Sequence, residues 1–202
     1  SLVSWLNKIH SRGSVTLRDA NPAVSPLATF NFLADPRDAA RLIDSVRFMA
    51  RVMAQTALRD LVEHASPSSY SGFARALGKQ NLRNLLLTGP TALAIDLVPA
   101  LRGVLFRNFV SGGTTLADLI ADEDALEAYV RERAFGQWHA CGTCRMGPAT
   151  DIDAVVDPLS ARVHGVGGLR VVDASIMPSA PRANLNIPVL MLAEKMSDQF
   201  VR

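Results

Sequence analysis

The chain changes character at residue 139, and that change limits its possible folds more than any other feature. Upstream, long stretches carry helical spacing, whereas residues 139–186 are rich in Gly and Pro and poor in helix formers. Such a run reads as short strands and turns. Within it, "GLRVVDAS" (168–175) predicts a compact strand whose Leu169, Val171 and Val172 suit burial on both faces. "IPVLMLAEKMSDQFV" (187–201) then predicts a closing helix with Asn186 as its cap. Near the other end, "SVTLRD" and "LATFNFL" read as strands on either side of "ANPAVSP", a turn with two prolines. A long helix follows from Asp35 to about residue 65. Asp35 can cap it, Pro36 fits its first position, and Asp38 suits its positive end. Leu42, Val46, Met49, Met53, Ala57 and Leu61 recur along it at core spacing. A second helix is expected over 122–134, acidic at its start and basic at its end. Together these predict an α+β chain.

Composition narrows the function. The chain is 49% hydrophobic and 20% charged, with a net charge of +2, so charge points to neither nucleic acid nor an anionic membrane as partner. Two cysteines make no secreted disulfide framework. The most apolar stretch, 85–106, is interrupted by Pro90, Asp96, Pro99 and Arg102, while a membrane span needs about 20 nearly unbroken apolar residues. It reads as two short apolar helices or a buried excursion, with a lid or membrane-surface patch as the alternative. The opening "SLVSWLNKIHSRG" has no signal-peptide run, which points to the cytoplasm. It begins at Ser, so the chain reads as part of something longer.

The chemistry centres on "WHACGTCRMG" (138–147). A histidine two residues ahead of a Cys-x-x-Cys suggests a metal site, a redox dithiol, or a histidine at work beside two packing cysteines. Structural zinc usually needs four Cys or His ligands, and no second cluster lies near this one in sequence. A redox dithiol favours the start of a helix, whereas Gly142, Gly147 and Pro148 surround this pair. The glycines of "HGVGGLRVVDAS" precede a strand rather than following one, so they are not a dinucleotide loop. Asp173 at that strand's end suits either a turn cap or an acceptor for a sugar or ribityl hydroxyl.

Three segments resemble the C-terminal signature of the glucose–methanol–choline (GMC) oxidoreductases: "WHACGTCRMG", "AVVDPLSARVHGVGGLRVVDASIMP" and "NLNIPVLMLAEKMSD". "SRGSVTLRDANP" and the Asp35 helix resemble, more loosely, that family's substrate domain; residues 66–115 match nothing placed. The resemblance implies an FAD enzyme that oxidises a small-molecule alcohol, as dehydrogenase or oxidase. It puts the active-site histidine at His139 and its partner at Asn184. It puts flavin contacts at Asp173, Ala174, Leu185 and Asn186, and it leaves the cysteines without a catalytic task and no metal site. It divides the chain into a substrate domain (1–138, with an insert at about 66–115) and a C-terminal piece (139–202). That piece would carry the last strand and helix of an FAD-binding α/β domain. The family's GxGxxG loop is not among these residues. An N-terminal FAD-binding segment is therefore the expected partner, and the chain alone is expected to be inactive and to bind FAD weakly. Self-association through its uncovered apolar surface is also expected. A hydroxynitrile lyase of the same fold, or a non-catalytic interaction module, are the other readings.

Overall fold

The computed structural model describes residues 2–59, 61, 76, 78–98, 100–105, 108, 113 and 115–200. Among these residues the fold is mostly helical with one small sheet, an α+β arrangement. Two strands, β1 (Ser14–Thr16) and β2 (Leu27–Thr29), precede the helices α1 (Pro36–Met53) and α2 (Thr56–Arg59). Next come α3 (Leu82–Leu97), α4 (Ala100–Leu105), α5 (Leu116–Ala121) and α6 (Glu123–Arg133). A 3-10 turn (Ala174–Ile176) and α7 (Asn186–Phe200) complete the order among the described residues. The described residues form two compact units, one from residues 2–4 and 41–133, the other from 5–40 and 134–200.

In the first unit, local signals set the helix ends. The α6 cap is Asp122, whose side chain accepts from the Ala125 amide at 3.0 Å, with Leu126 and Val130 buried below. The preceding α5 starts with a reciprocal cap: Thr115 accepts from the Asp118 amide, and Asp118 accepts from the Thr115 amide. Arg47 of α1 pairs with Glu123 of α6 at 2.6 Å. The expected long helix is shorter, because α1 stops at Met53. There the Gln55 amide bonds back only three residues to Val52, and the Gln55 side chain takes the Arg51 carbonyl. Leu42, Val46, Met49 and Met53 are half-buried, but Ala57 and Leu61 lie past the break and are exposed. The apolar stretch became helices, α3 and α4, rather than a buried excursion, since α3 buries no residue. Among the described residues no helix is long and apolar enough to cross a membrane. Residues 62–75 lie outside the described residues.

The second unit holds the sheet and the Gly/Pro-rich stretch. The strands pair antiparallel, Val15 opposite Ala28, and their turn is tied by Asp19 and Asn21 side chains accepting amides two residues on. Only glycine fits at position 13, where a Cβ would stand 2.2 Å from the Thr29 carbonyl oxygen. Asp35 caps α1 as expected, accepting from the Arg37 amide at 3.0 Å. Asp38 does more than favour the helix dipole. It is 1% exposed and accepts from the His10 amide, the Ser11 amide and the Ser11 hydroxyl.

The strand expected at 168–175 does not join a sheet. It makes one isolated antiparallel bridge, Arg162 to Arg170, and Leu169 is exposed. Its partner up to Val171 is the short segment around Ala161 and Arg162, and Asp173 then turns the chain into the 3-10 turn, where Ala174 and Ser175 accept from Gly142 and Cys144. The core gathers Val156, Ile176, Met177, Leu185 and Leu192, with Cys141, Met146, Val163 and Val189 packed around it. The Arg170 guanidinium lies over the Phe200 ring at 4.5 Å, tying the end of α7 to the bridge segment.

Candidate active site

His139 stands on an arch between two left-handed backbone residues, Trp138 at φ 62° and Gly142 at φ 88°. For a tryptophan that conformation is strained, and strain of this kind collects at working sites. The approach to the arch is fixed by a close contact. A Cβ on Gly136 would come within 2.9 Å of the Phe32 ring, which stacks on Phe30 at 5.2 Å between centroids. Trp138 is 96% exposed, and His139 is exposed too.

Beyond the arch the chain runs as a strip along the 3-10 turn. The amides of Gly142, Cys144 and Met146 donate to the carbonyls of Ala174, Ser175 and Ile176 at 3.3, 2.9 and 2.8 Å. Donors at every second residue are what an extended strip presents to one side. Its other side faces Val155 and Val156, through Val155 N–H to the Arg145 carbonyl and Gly147 N–H to the Val156 carbonyl. The structure therefore brings the His139 motif and the Asp173–Ser175 element side by side.

Each predicted site residue has a definite place. Asp173 is the cap of the 3-10 turn: its Oδ1 accepts from the Ser175 amide at 2.7 Å and from the Ser175 hydroxyl. Its Oδ2 takes no hydrogen bond among the described residues. Ala174 is half-buried, and its carbonyl accepts from Gly142. Leu185 is 7% exposed and belongs to the core, so its side chain does not face outward. Asn186 is not the cap of α7 but its first residue. The Leu185 carbonyl accepts from the Val189 amide, which puts the cap at Leu185, where burial in the core anchors the chain. Pro188 costs α7 nothing, because amides in the first turn have no intrahelical partner. His139 and Asn184 are both exposed, and neither makes a hydrogen bond among the described residues. Two residues after His139, and one after Asn184, the chain enters the same core through Cys141 and Leu185.

The cysteines behave as packing residues. They are unlinked and half-buried, and burial pushes the Cys141 thiol up, against the smaller opposite pull of Arg12 and Lys8. That is the wrong direction for a reactive thiolate. Among the described residues no three His, Cys, Asp or Glu side chains gather to hold a metal.

Sequence reasoning missed three features here. Lys8 donates to the Ser179 hydroxyl at 2.7 Å across 171 residues, the Trp138 backbone is left-handed, and the His164 ring bonds the Gly147 carbonyl. No local signal announces the first two. His164 lay inside a quoted motif without an assigned role.

A sequence model of the GMC oxidoreductases matches residues 10–193. The chain is 42% identical over 201 residues to a 5-(hydroxymethyl)furfural oxidase of Methylovorus sp. strain MP688, covering 100% of this chain and 31% of that protein. It is 31% identical over 195 residues to an oxygen-dependent choline dehydrogenase of Rhizobium rhizogenes, covering 96% of this chain and 27% of the relative. It is also similar in fold to the crystal structure of pyridoxine 4-oxidase from Mesorbium loti. There the TM-score is 0.55 at 23% identity, over 96% of this chain and 28% of that one. The chain thus spans less than a third of each of these relatives.

Proposed function

The chain belongs to the GMC oxidoreductase family of FAD flavoproteins, and from that premise we propose that it carries the catalytic part of an alcohol oxidation with His139 as base. One observation carries the reading. An exposed histidine on a strained arch is held in register beside the Asp173 turn by three backbone hydrogen bonds. In this reading residues 139–202 are the C-terminal part of the flavin-binding side.

The residues present fit FAD. Asp173 offers an unused carboxylate oxygen at the surface, suited to a ribityl hydroxyl, and Ala174 beside it is small enough to let a ring system approach. When bound, FAD supplies the acceptor for the hydride. The chain's own part is to make the alcohol a good hydride donor. His139 takes the hydroxyl proton, a task that imidazole performs more often than any other side chain. Asn184 donates an amide N–H to the oxygen as its negative charge grows, which needs no titration.

A flat, neutral primary alcohol, such as a hydroxymethyl group on a furan, is the substrate class best supported. The 42% identical relative is named for such a compound, and the exposed Trp138 indole and the Phe30–Phe32 pair offer aromatic faces beside the motif.

In the flavin-loaded enzyme that carries this chain, His139→Ala should slow flavin reduction by alcohol at least about 10²-fold, with FAD still bound. Asn184→Ala should cost less, roughly 2 to 4 kcal/mol of barrier. Stopped-flow reduction of the His139 variant within a few-fold of the parent rules out the base role.

A further inference from the structure

Resting on that assignment of His139, we propose that His164 is a positioning residue that fixes where His139 stands relative to the Asp173 turn. The His139 ring has no hydrogen bond among the described residues, so its place is set by the backbone on either side, the Gly136–Phe32 contact before it and the strip of chain after it. One edge of that strip is bonded to residues 174–176, and the other to residues 155–156. Its last carbonyl, at Gly147, faces the His164 ring, with Nε2 at 3.0 Å. A carbonyl only accepts, so Nε2 carries the proton and donates. The His164 amide also donates to the Val155 carbonyl at 2.9 Å. One residue therefore joins the strip and its neighbour.

Arg145 does not supply the same link. Its guanidinium pairs with Asp151 at 2.9 Å and with Asp153 at 3.4 Å, both in the loop that the strip itself leads into. Those pairs close a loop on itself and survive if strip and loop move together. His164 reaches in from the segment after Val156 and Ala161, both fully buried, and so relates the strip to the fixed core. The fit at the bond is close, since a Cβ on Gly147 would come within 2.9 Å of the Ala154 methyl. Without the ring the Gly147 carbonyl loses its side-chain donor, and the end of the strip is held only by its backbone bonds to residues 155–156 and 174–176. Proton abstraction is sensitive to such a change, because a misplacement of about 1 Å can cost about 10²-fold in rate.

The test uses the flavin-loaded enzyme that carries this chain. His164→Leu should slow flavin reduction by alcohol roughly 10- to 100-fold, with KM within about threefold of the parent. His164→Gln, whose side-chain amide can reach the same carbonyl, should restore most of the rate, whereas the shorter His164→Asn should resemble Leu. Amide hydrogen exchange gives a readout independent of turnover. The Cys144 and Met146 amides should lose protection in the Leu and Asn variants and regain it in Gln, while α6 is unchanged. If reduction and protection are both unaltered in Leu and Asn while His139→Ala abolishes reduction, the positioning role is overturned and the base stands. If His139→Ala leaves reduction intact, the base assignment fails, and with it the claim that His164 positions a base.

Discussion

Asp38 is a buried carboxylate whose hydrogen bonds hold residues 10–11 against the start of α1. Burial pushes its carboxyl up, but the Ser11 amide and hydroxyl and the His10 amide outweigh that and hold it below the usual range. The Arg37 side chain and amide lower Asp35 further, to about 2. Carboxylates depressed in the folded state add stability above their unfolded value of about 3.9, and lose it as pH falls through the folded value. The urea midpoint of the chain should therefore drop as pH is lowered from about 5 toward 2. Asp38→Asn should cost about 2 kcal/mol at neutral pH and flatten part of that drop, as urea titrations at several pH values would reveal. The sequence marked Asp38 only as an acid in a helix's first turn. Its partner Ser11 lies 27 residues away, a distance that no local pattern spans.

At the scale of elements, local signals were readable and partnered ones were not. Helices α1 and α6 begin where Asp35 and Asp122 can cap them, because a cap and a 3.6-residue stripe are written within one stretch of chain. The α5 cap, Thr115 with Asp118, was also written locally and passed unread at the edge of the unplaced insert. The strand at 168–175 failed for the opposite reason: a strand is defined by its neighbours, and among the described residues this one forms a single β-bridge before it turns at Asp173. In the site, the family resemblance pointed to His139 and Asn184, while the backbone bonds that align the strip with the turn had no signature. The β1–β2 hairpin makes this dependence on partners testable. Gly13→Ala forces a Cβ onto the Thr29 carbonyl, so it should cost roughly 1 to 3 kcal/mol and raise amide exchange across residues 14–29, with α6 unaffected.

For the molecule as a whole, the balance of covered and uncovered apolar surface decides behaviour in solution. Helix α7 buries Leu192 and Met196 but leaves Ile187, Leu190 and Met191 exposed. Covering each such side chain is worth about 1.5 to 3 kcal/mol, so the chain purified alone is expected to self-associate. Light scattering should rise with concentration, and Leu190→Glu with Met191→Glu should suppress it; a monomer at every concentration would count against this surface. Trp138 has a separate consequence at the same scale. It is one of two tryptophans, 96% exposed and adjacent to His139, while Trp5 is 49% exposed. An indole so open to water emits toward the red end of the tryptophan range and is readily reached by a collisional quencher such as iodide. Whatever settles over the arch shields this indole, so with Trp5→Phe as background the emission colour becomes a built-in gauge of occupancy, readable in light before any turnover takes place.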